Sequence, residues 1–224
     1  MPARLWSPPG GADGGPAILM LQEIFGVSGY IRRRAAALAE AGYLVLAPEL
    51  YWRLGDAVEP LDEKAPDALD QGVARVTALD WDQAVDDAVT ALLQLRGRAD
   101  VDGVGIVGFC FGGGLGFNVA AVAEPDCLVS YYGSALPDLL HLAPDVTAPS
   151  LHHFGLDDVF VDADSVVRIR EAVTAAGTPV EFETYEGANH AFDNDDFMFA
   201  HEEASALAWE RTLRFLAEHL GPAS

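Results

Sequence analysis

The chain has 224 residues, 50% of them hydrophobic, which is enough apolar material to fill the core of one domain and excludes a disordered chain. Its 13 Lys and Arg against 35 Asp and Glu give a formal net charge of -22, a surface that repels phosphate backbones and anionic bilayers and argues against nucleic-acid and membrane partners. Two cysteines, an N-terminus with no apolar signal-peptide core and no apolar run approaching the roughly 20 residues of a spanning helix point to a soluble, cytoplasmic protein in a reducing compartment.

Residues 17 to 23 (AILMLQE) form a short apolar run bounded by Gly and Pro, the pattern of a strand buried on both faces of a parallel sheet. A helix follows, capped by Ser28, with Ile31, Ala35, Leu38 and Ala39 on one face and Gly42 to end it. Residues 43 to 47 (YLVLA) read as the next strand. From about 50 to 80, Pro60, Pro66 and several Asp residues break the periodicity, so this stretch is expected to be a lid or rim loop, not a second domain. A helix over about 80 to 96 presents Ala84, Ala88, Ala91, Leu92 and Leu95 at helical spacing. The strand 103 to 109 leads into a small-residue helix beginning at Phe111. Strands at 127 to 131, 149 to 154 and 179 to 184 follow, with a helix near 163 to 176 and a last helix over about 201 to 219. This alternation predicts an α/β fold spanning residues 1 to 224 as a single domain: a mostly parallel sheet with helices on both faces and ligands at the carboxyl ends of the strands.

Gly108-Phe109-Cys110-Phe111-Gly112-Gly113 falls where a strand turns into a helix. A nucleophile elbow needs glycines there, because the nucleophile's backbone is strained and strand and helix cross closely. Cys110 at the helix N-terminus would be favoured as a thiolate, and the amide of Phe111 would face an adjacent oxyanion. His190, in Asn189-His190-Ala191-Phe192, follows the strand 179 to 184 through a turn at Gly187 and suits a general base. A nucleophile, an acid and then a His is the chain order of an α/β-hydrolase triad. The acid should follow the strand 149 to 154, where Asp157 and Asp158 both stand; Asp158, beside Val159 and Phe160, is the more enclosed. His152 and His153 with these aspartates could suggest a metal site, but strand alternation sends the two imidazoles to opposite faces, and no metal is expected. Glu23 ends the first apolar strand close to the nucleophile's expected position, where a carboxylate would raise the thiol's pKa and take its hydrogen bond.

With these residues in place, the chain resembles the dienelactone hydrolase family of α/β-hydrolases over nearly its whole length. The segments Gln22-Glu23-Ile24-Phe25-Gly26-Val27, the Cys110 elbow, Tyr131-Tyr132-Gly133, Asp158-Val159-Phe160-Val161 and Gly187 to Phe192 match the family's in order. The resemblance implies Cys110 as nucleophile, His190 as base, Asp158 as its orienter, Glu23 as the partner of the resting thiol, and the amides of Ile24 and Phe111 as oxyanion donors. It further implies ester or lactone hydrolysis through an acyl-enzyme, without metal or organic cofactor, on a small-molecule substrate. A thioesterase or other acyl hydrolase is the alternative within enzymes, and a catalytically silent binding protein the alternative outside them. The family holds a substrate carboxylate with two arginines. At the first of those positions this chain has Asn194, flanked by Asp193, Asp195 and Asp196, and the second falls near Ala68, with Arg53 and Arg75 the nearest replacements. Phe25, Tyr51, Tyr131 and Phe192 are expected at the rim, over an uncharged acyl group. A monomer or weak homo-oligomer is expected.

Overall fold

The computed structural model describes residues 1–10, 15–55 and 59–221. Seven strands form one sheet: β1 (Ala3–Trp6), β2 (Gly15–Leu21), β3 (Leu44–Pro48), β4 (Val101–Phe109), β5 (Cys127–Tyr131), β6 (Ser150–Gly155) and β7 (Val180–Tyr185). Their order across the sheet is β1-β3-β2-β4-β5-β6-β7, and every neighbouring pair is parallel except β1 with β3. Residues 17 to 21 of β2 and all of β5 and β6 are buried, as continuous apolar runs covered on both faces should be. β1 escapes sequence patterning for the opposite reason. It is four residues long, alternates exposed with half-buried positions, and sits antiparallel on the edge, with Leu5 opposite Leu46.

Helix α1 (Gly29–Glu40) begins where expected: Ser28 Oγ accepts from the Ile31 amide at 3.5 Å, and Tyr30, Ile31, Ala35, Leu38 and Ala39 are the buried face. Helices α3 (Trp81–Arg96), α4 (Phe111–Ala123), α5 (Ala163–Ala175) and α6 (Glu202–Leu220) also fall on their predicted stretches. The segment from 50 to 80 is corrected by the structure. It carries a 3₁₀ turn, Leu50–Leu54, and a regular helix, α2 (Ala68–Ala78). Pro60 and Pro66 interrupt only the connection before α2; from Leu69 the apolar positions Leu69, Val73 and Val76 recur at the i, i+4, i+7 spacing of a helix.

Adjacent β4 residues show which helices lie on which face. Gly105 lies against Leu220 of α6, and Ile106 against Gly116 of α4, so α6 and α4 cover opposite sides of the sheet. The same alternation separates His152 from His153 in β6. His152 packs at 6.2 Å from the Phe117 ring of α4, while His153 Nε2 lies 3.1 Å from Thr212 Oγ1 of α6. Burial pushes the pKa of His152 down to about 4 and that of His153 well below the usual imidazole value, so both are neutral core residues.

The crossing of β4 and α4 leaves no room for side chains at two positions. A Cβ on Gly108 would collide with the Gly112 carbonyl, and one on Gly112 with the backbone of Leu21 and Gln22. Since the obstacle is backbone in a packed core, Gly108→Ala is expected to destabilise by about 3 kcal/mol. In a chain of this size that lowers Tm by roughly 6–12 °C, measurable by thermal denaturation followed by circular dichroism.

Candidate active site

Cys110 stands between β4 and α4 with φ 52° and ψ -114°, a strained backbone for a residue with a side chain. Its position is fixed from several directions: its amide donates to the Tyr131 carbonyl at 2.9 Å, and its carbonyl accepts from Gly113 at 3.0 Å and Ser134 at 3.2 Å. Two other non-glycine residues with positive φ, Tyr132 and Ala191, flank the same site. Such strain gathers where geometry serves chemistry.

The structure brings His190 and Asp158 to this cysteine. His190 Nε2 lies 3.0 Å from Cys110 Sγ, and Nδ1 lies 2.8 Å from Asp158 Oδ2. The other Asp158 oxygen accepts from the amides of Phe160 at 2.8 Å and Val161 at 2.9 Å, which fix the carboxylate's direction. Asp157 is exposed and points elsewhere. The loop after β7 reaches across β6 to make this arrangement. Asp157 donates through its amide to the Ala188 carbonyl at 3.0 Å, and Asn189 Oδ1 accepts from the amides of Val159 at 3.1 Å and His190 at 2.6 Å, so one side chain ties the acid's loop to the base's. The rings of Phe160 and Tyr132 pack on the imidazole at 5.1 and 5.2 Å. Burial works against protonation of His190, but the neighbouring Cys110 sulfur and the Asp158 carboxylate outweigh it and raise its pKa.

Phe111 is the first residue of α4, and the amide of a helix's first residue has no intrahelical acceptor. Ile24 lies in the tight turn closed by Gly26 donating to the Glu23 carbonyl at 3.2 Å. The Ile24 carbonyl accepts from Tyr51 Oη at 2.9 Å, which fixes the orientation of that peptide. Both residues thus sit beside Cys110 with amides suited to the oxyanion role the resemblance implied.

Glu23 is buried at the site but is not bonded to the thiol. Its Oε1 accepts from Tyr132 Oη at 3.1 Å and its Oε2 from Asn194 Nδ2 at 2.7 Å. With both oxygens occupied, the expected pairing of Glu23 with Cys110 gives way to the Cys110–His190 contact. Burial raises the pKa of Glu23 to about 7 against the lowering effect of these bonds.

The cavity in front of Cys110 measures about 220 Å³ and is bounded by Cys110, His190, Glu23, Ile24 and Phe25, with one face of α2 opposite. Among the four aromatics expected at the rim, only Phe25 lines it. Tyr51 instead holds the Ile24 carbonyl from behind. Tyr131 is fully buried with its hydroxyl 2.6 Å from Thr212 Oγ1, and Phe192 is fully buried against Tyr132 and Tyr185. Both belong to the core, because Tyr131 points from β5 toward Thr212 of α6 and Phe192 packs on the same aromatic cluster, away from the cavity. The carboxylates around Asn194 are likewise turned away: Asp193 is buried on Arg34, while Asp195 and Asp196 pair with Arg33. Sequence reasoning missed Ser134, whose Oγ is 3.7 Å from Sγ. It also missed Phe160, Phe197 and the α2 positions Leu69, Val73 and Val76, which line the cavity. The α2 positions were recoverable from their helical spacing; Ser134 and Phe197 carry no local signal.

A mostly parallel sheet with a strained cysteine between β4 and α4, an aspartate after β6 and a histidine after β7 defines an α/β-hydrolase fold. Within that class the chain belongs to the dienelactone hydrolase family, whose model matches residues 1–220. It is 38% identical over 205 residues to a carboxymethylenebutenolidase of Pseudomonas putida, covering 90% of this chain and 85% of that one. Carboxymethylenebutenolidase 1 of Cupriavidus pinatubonensis is 32% identical over 206 residues, covering 92% and 87%. A solved structure of a dienelactone hydrolase candidate from Klebsiella pneumoniae superposes with a TM-score of 0.81 at 30% identity, covering 97% of this chain and 98% of that one.

Proposed function

We propose that this hydrolase cleaves ester or lactone bonds through a thioester acyl-enzyme on Cys110. The observation that carries this reading is the continuous relay from Asp158 Oδ2 through the His190 ring to Cys110 Sγ, at 2.8 and 3.0 Å. Asp158, accepting from Nδ1–H, holds the imidazole with Nε2 toward sulfur and stabilises the imidazolium. Sγ adds to the substrate carbonyl, its proton passing to Nε2, and the negative charge develops on an oxygen facing the amides of Ile24 and Phe111. Collapse breaks the acyl–oxygen bond, and His190 returns the proton to the departing alkoxide. In a lactone that hydroxyl stays tethered to the acyl group. Water, deprotonated by His190, then attacks the thioester carbonyl; the acid leaves and the thiol is restored.

Membership of a family whose relatives include named carboxymethylenebutenolidases supports a lactone or ester over other acyl substrates. No described helix is long and apolar enough to cross a membrane. p-Nitrophenyl acetate tests the mechanism: rapid mixing should show a burst of nitrophenolate, and acid-quenched protein should carry an acetyl thioester on Cys110 by mass spectrometry. Turnover with no acyl group on Cys110, or with the acyl group elsewhere, would sink the mechanism.

A further inference from the structure

The cavity beside Cys110 has a one-sided chemistry. Its walls beyond the reacting residues are mostly apolar, with Phe25 and Phe197 from the loops and Leu69, Val73 and Val76 from α2 against the two hydroxyls of Thr77 and Ser134, and no described residue lining it is a Lys or Arg. Among the described residues, the ionisable groups on it are Cys110, His190 and the carboxyl of Glu23. The basic residues of the surrounding elements are all engaged elsewhere. Arg33 pairs with Asp195 and Asp196, Lys64 with Asp196 at 2.8 Å, and Arg53 with both oxygens of Asp87 at 2.8 and 2.9 Å. Arg75, on α2 itself, donates to the Glu59 carbonyl at 2.7 Å.

Glu23 cannot swing aside to make room. Its two oxygens are held by Tyr132, which sits in a strained φ of 37°, and by the fully buried Asn194. A carboxylate entering this cavity would lose water without gaining a free cation, because the one lining side chain among the described residues that can carry positive charge, His190, is already engaged by Cys110 Sγ and Asp158, and it would meet a fixed carboxyl group in a setting that screens charge poorly. An alkyl or aromatic group would find the apolar face of α2 and could extend over Val73 and Phe160, which are both half-exposed at the mouth. At about 220 Å³ the cavity is smaller than the roughly 300 Å³ at which drug-sized pockets begin.

We infer that the site takes small, uncharged, largely apolar esters or lactones, and that Glu23, locked by Asn194 and Tyr132, is the specificity residue that turns away a carboxylate-bearing substrate. The ester part of this inference rests on the hydrolase reading above; the selection against anions does not. Two alkylating agents of nearly equal size test the selection without any hydrolysis. Iodoacetamide is neutral and iodoacetate is anionic, and both alkylate a cysteine by displacing iodide. At about pH 8.5, where a group titrating near neutrality is ionised, Cys110 should react at least about tenfold faster with iodoacetamide once each rate is divided by that of free N-acetylcysteine. The fully buried Cys127 serves as the unreactive reference. Glu23→Gln, which keeps the shape and removes the charge, should shrink this ratio severalfold, and so should Val73→Lys, which places a cation at the mouth. A wild-type ratio below about threefold overturns the inference, and a ratio that neither substitution changes removes Glu23 from it. p-Nitrophenyl butyrate should likewise be cleaved with at least about tenfold higher kcat/KM than p-nitrophenyl hemisuccinate, its analogue with a terminal carboxylate. Selective alkylation without cleavage of either ester would refute the hydrolase reading and leave the selection standing. Equal cleavage of both would do the reverse.

Discussion

Cys110→Ala is expected to bring p-nitrophenyl acetate hydrolysis down to the rate of the protein-free solution, and His190→Ala and Asp158→Asn each to lower kcat at least about 100-fold. The size follows from how the three groups depend on one another. Removing the sulfur removes the group that His190 Nε2 contacts at 3.0 Å. Without the imidazole, the thiol has no acceptor for its proton and the alkoxide no donor. Asp158→Asn keeps the volume, but its amide NH₂ can donate to Nδ1 and so favour the tautomer with a proton on Nε2, which points the wrong way toward sulfur. Asp157→Asn changes an exposed side chain outside this relay and should leave kcat within about twofold. Steady-state kinetics of the four variants check the set together. A crippled Asp157→Asn beside a near-normal Asp158→Asn would show that the orienting carboxylate had been misassigned.

Arg34→Met is expected to cost about 3–5 kcal/mol and to lower Tm by roughly 6–20 °C. Asp193 is buried at 2% exposure and accepts from Arg34 Nε at 2.7 Å and Nη2 at 2.5 Å, with further donors in Tyr30 at 2.5 Å and Ser205 at 2.7 Å. Burial alone raises the carboxyl's pKa, and the guanidinium opposes that rise. Removing the guanidinium strands a charge in the interior, or forces it to take up a proton. Arg34→Met combined with Asp193→Asn should recover most of the loss, because Tyr30 and Ser205 sit on different oxygens of Asp193 and the amide can accept from one hydroxyl through its oxygen and donate to the other through its NH₂. Urea denaturation of the single and double variants decides it. A single variant as stable as the parent would show the pair to be energetically idle.

Six of the seven strands and five of the helices were legible because each buries a continuous or periodic apolar set; the elbow was legible because a G-x-C-x-G between strand and helix has a steric reason to exist. The relay could be assembled from chain order alone. What the sequence concealed falls into two kinds. β1 and α2 are short or half-exposed, so their patterns are weak against the prolines and aspartates near them. The Glu23 contacts, the burial of Tyr131 and Phe192 and the pairing of Asp193 to Asp196 depend on which way side chains point once distant segments meet. Asn194 is the clearest instance. Within its own segment it looks like a gap where a cation might stand, yet in three dimensions it is the donor that immobilises a carboxylate 171 positions earlier in the chain.

The bridge that Asn189 makes across the end of β6 has a wider meaning for this molecule. β4 and β7 are separated by two strands, so at about 4.8 Å per step their ends stand roughly 14 Å apart, too far for an imidazole to cross. The sulfur–nitrogen distance is therefore a property of an arch, not of the platform beneath it. Its keystone is a side-chain amide receiving two backbone N–H groups. Changes in the platform's packing can leave that span intact, and a change in the keystone can alter it while every strand stays in place, so reactivity and thermal robustness have separate structural seats in this chain.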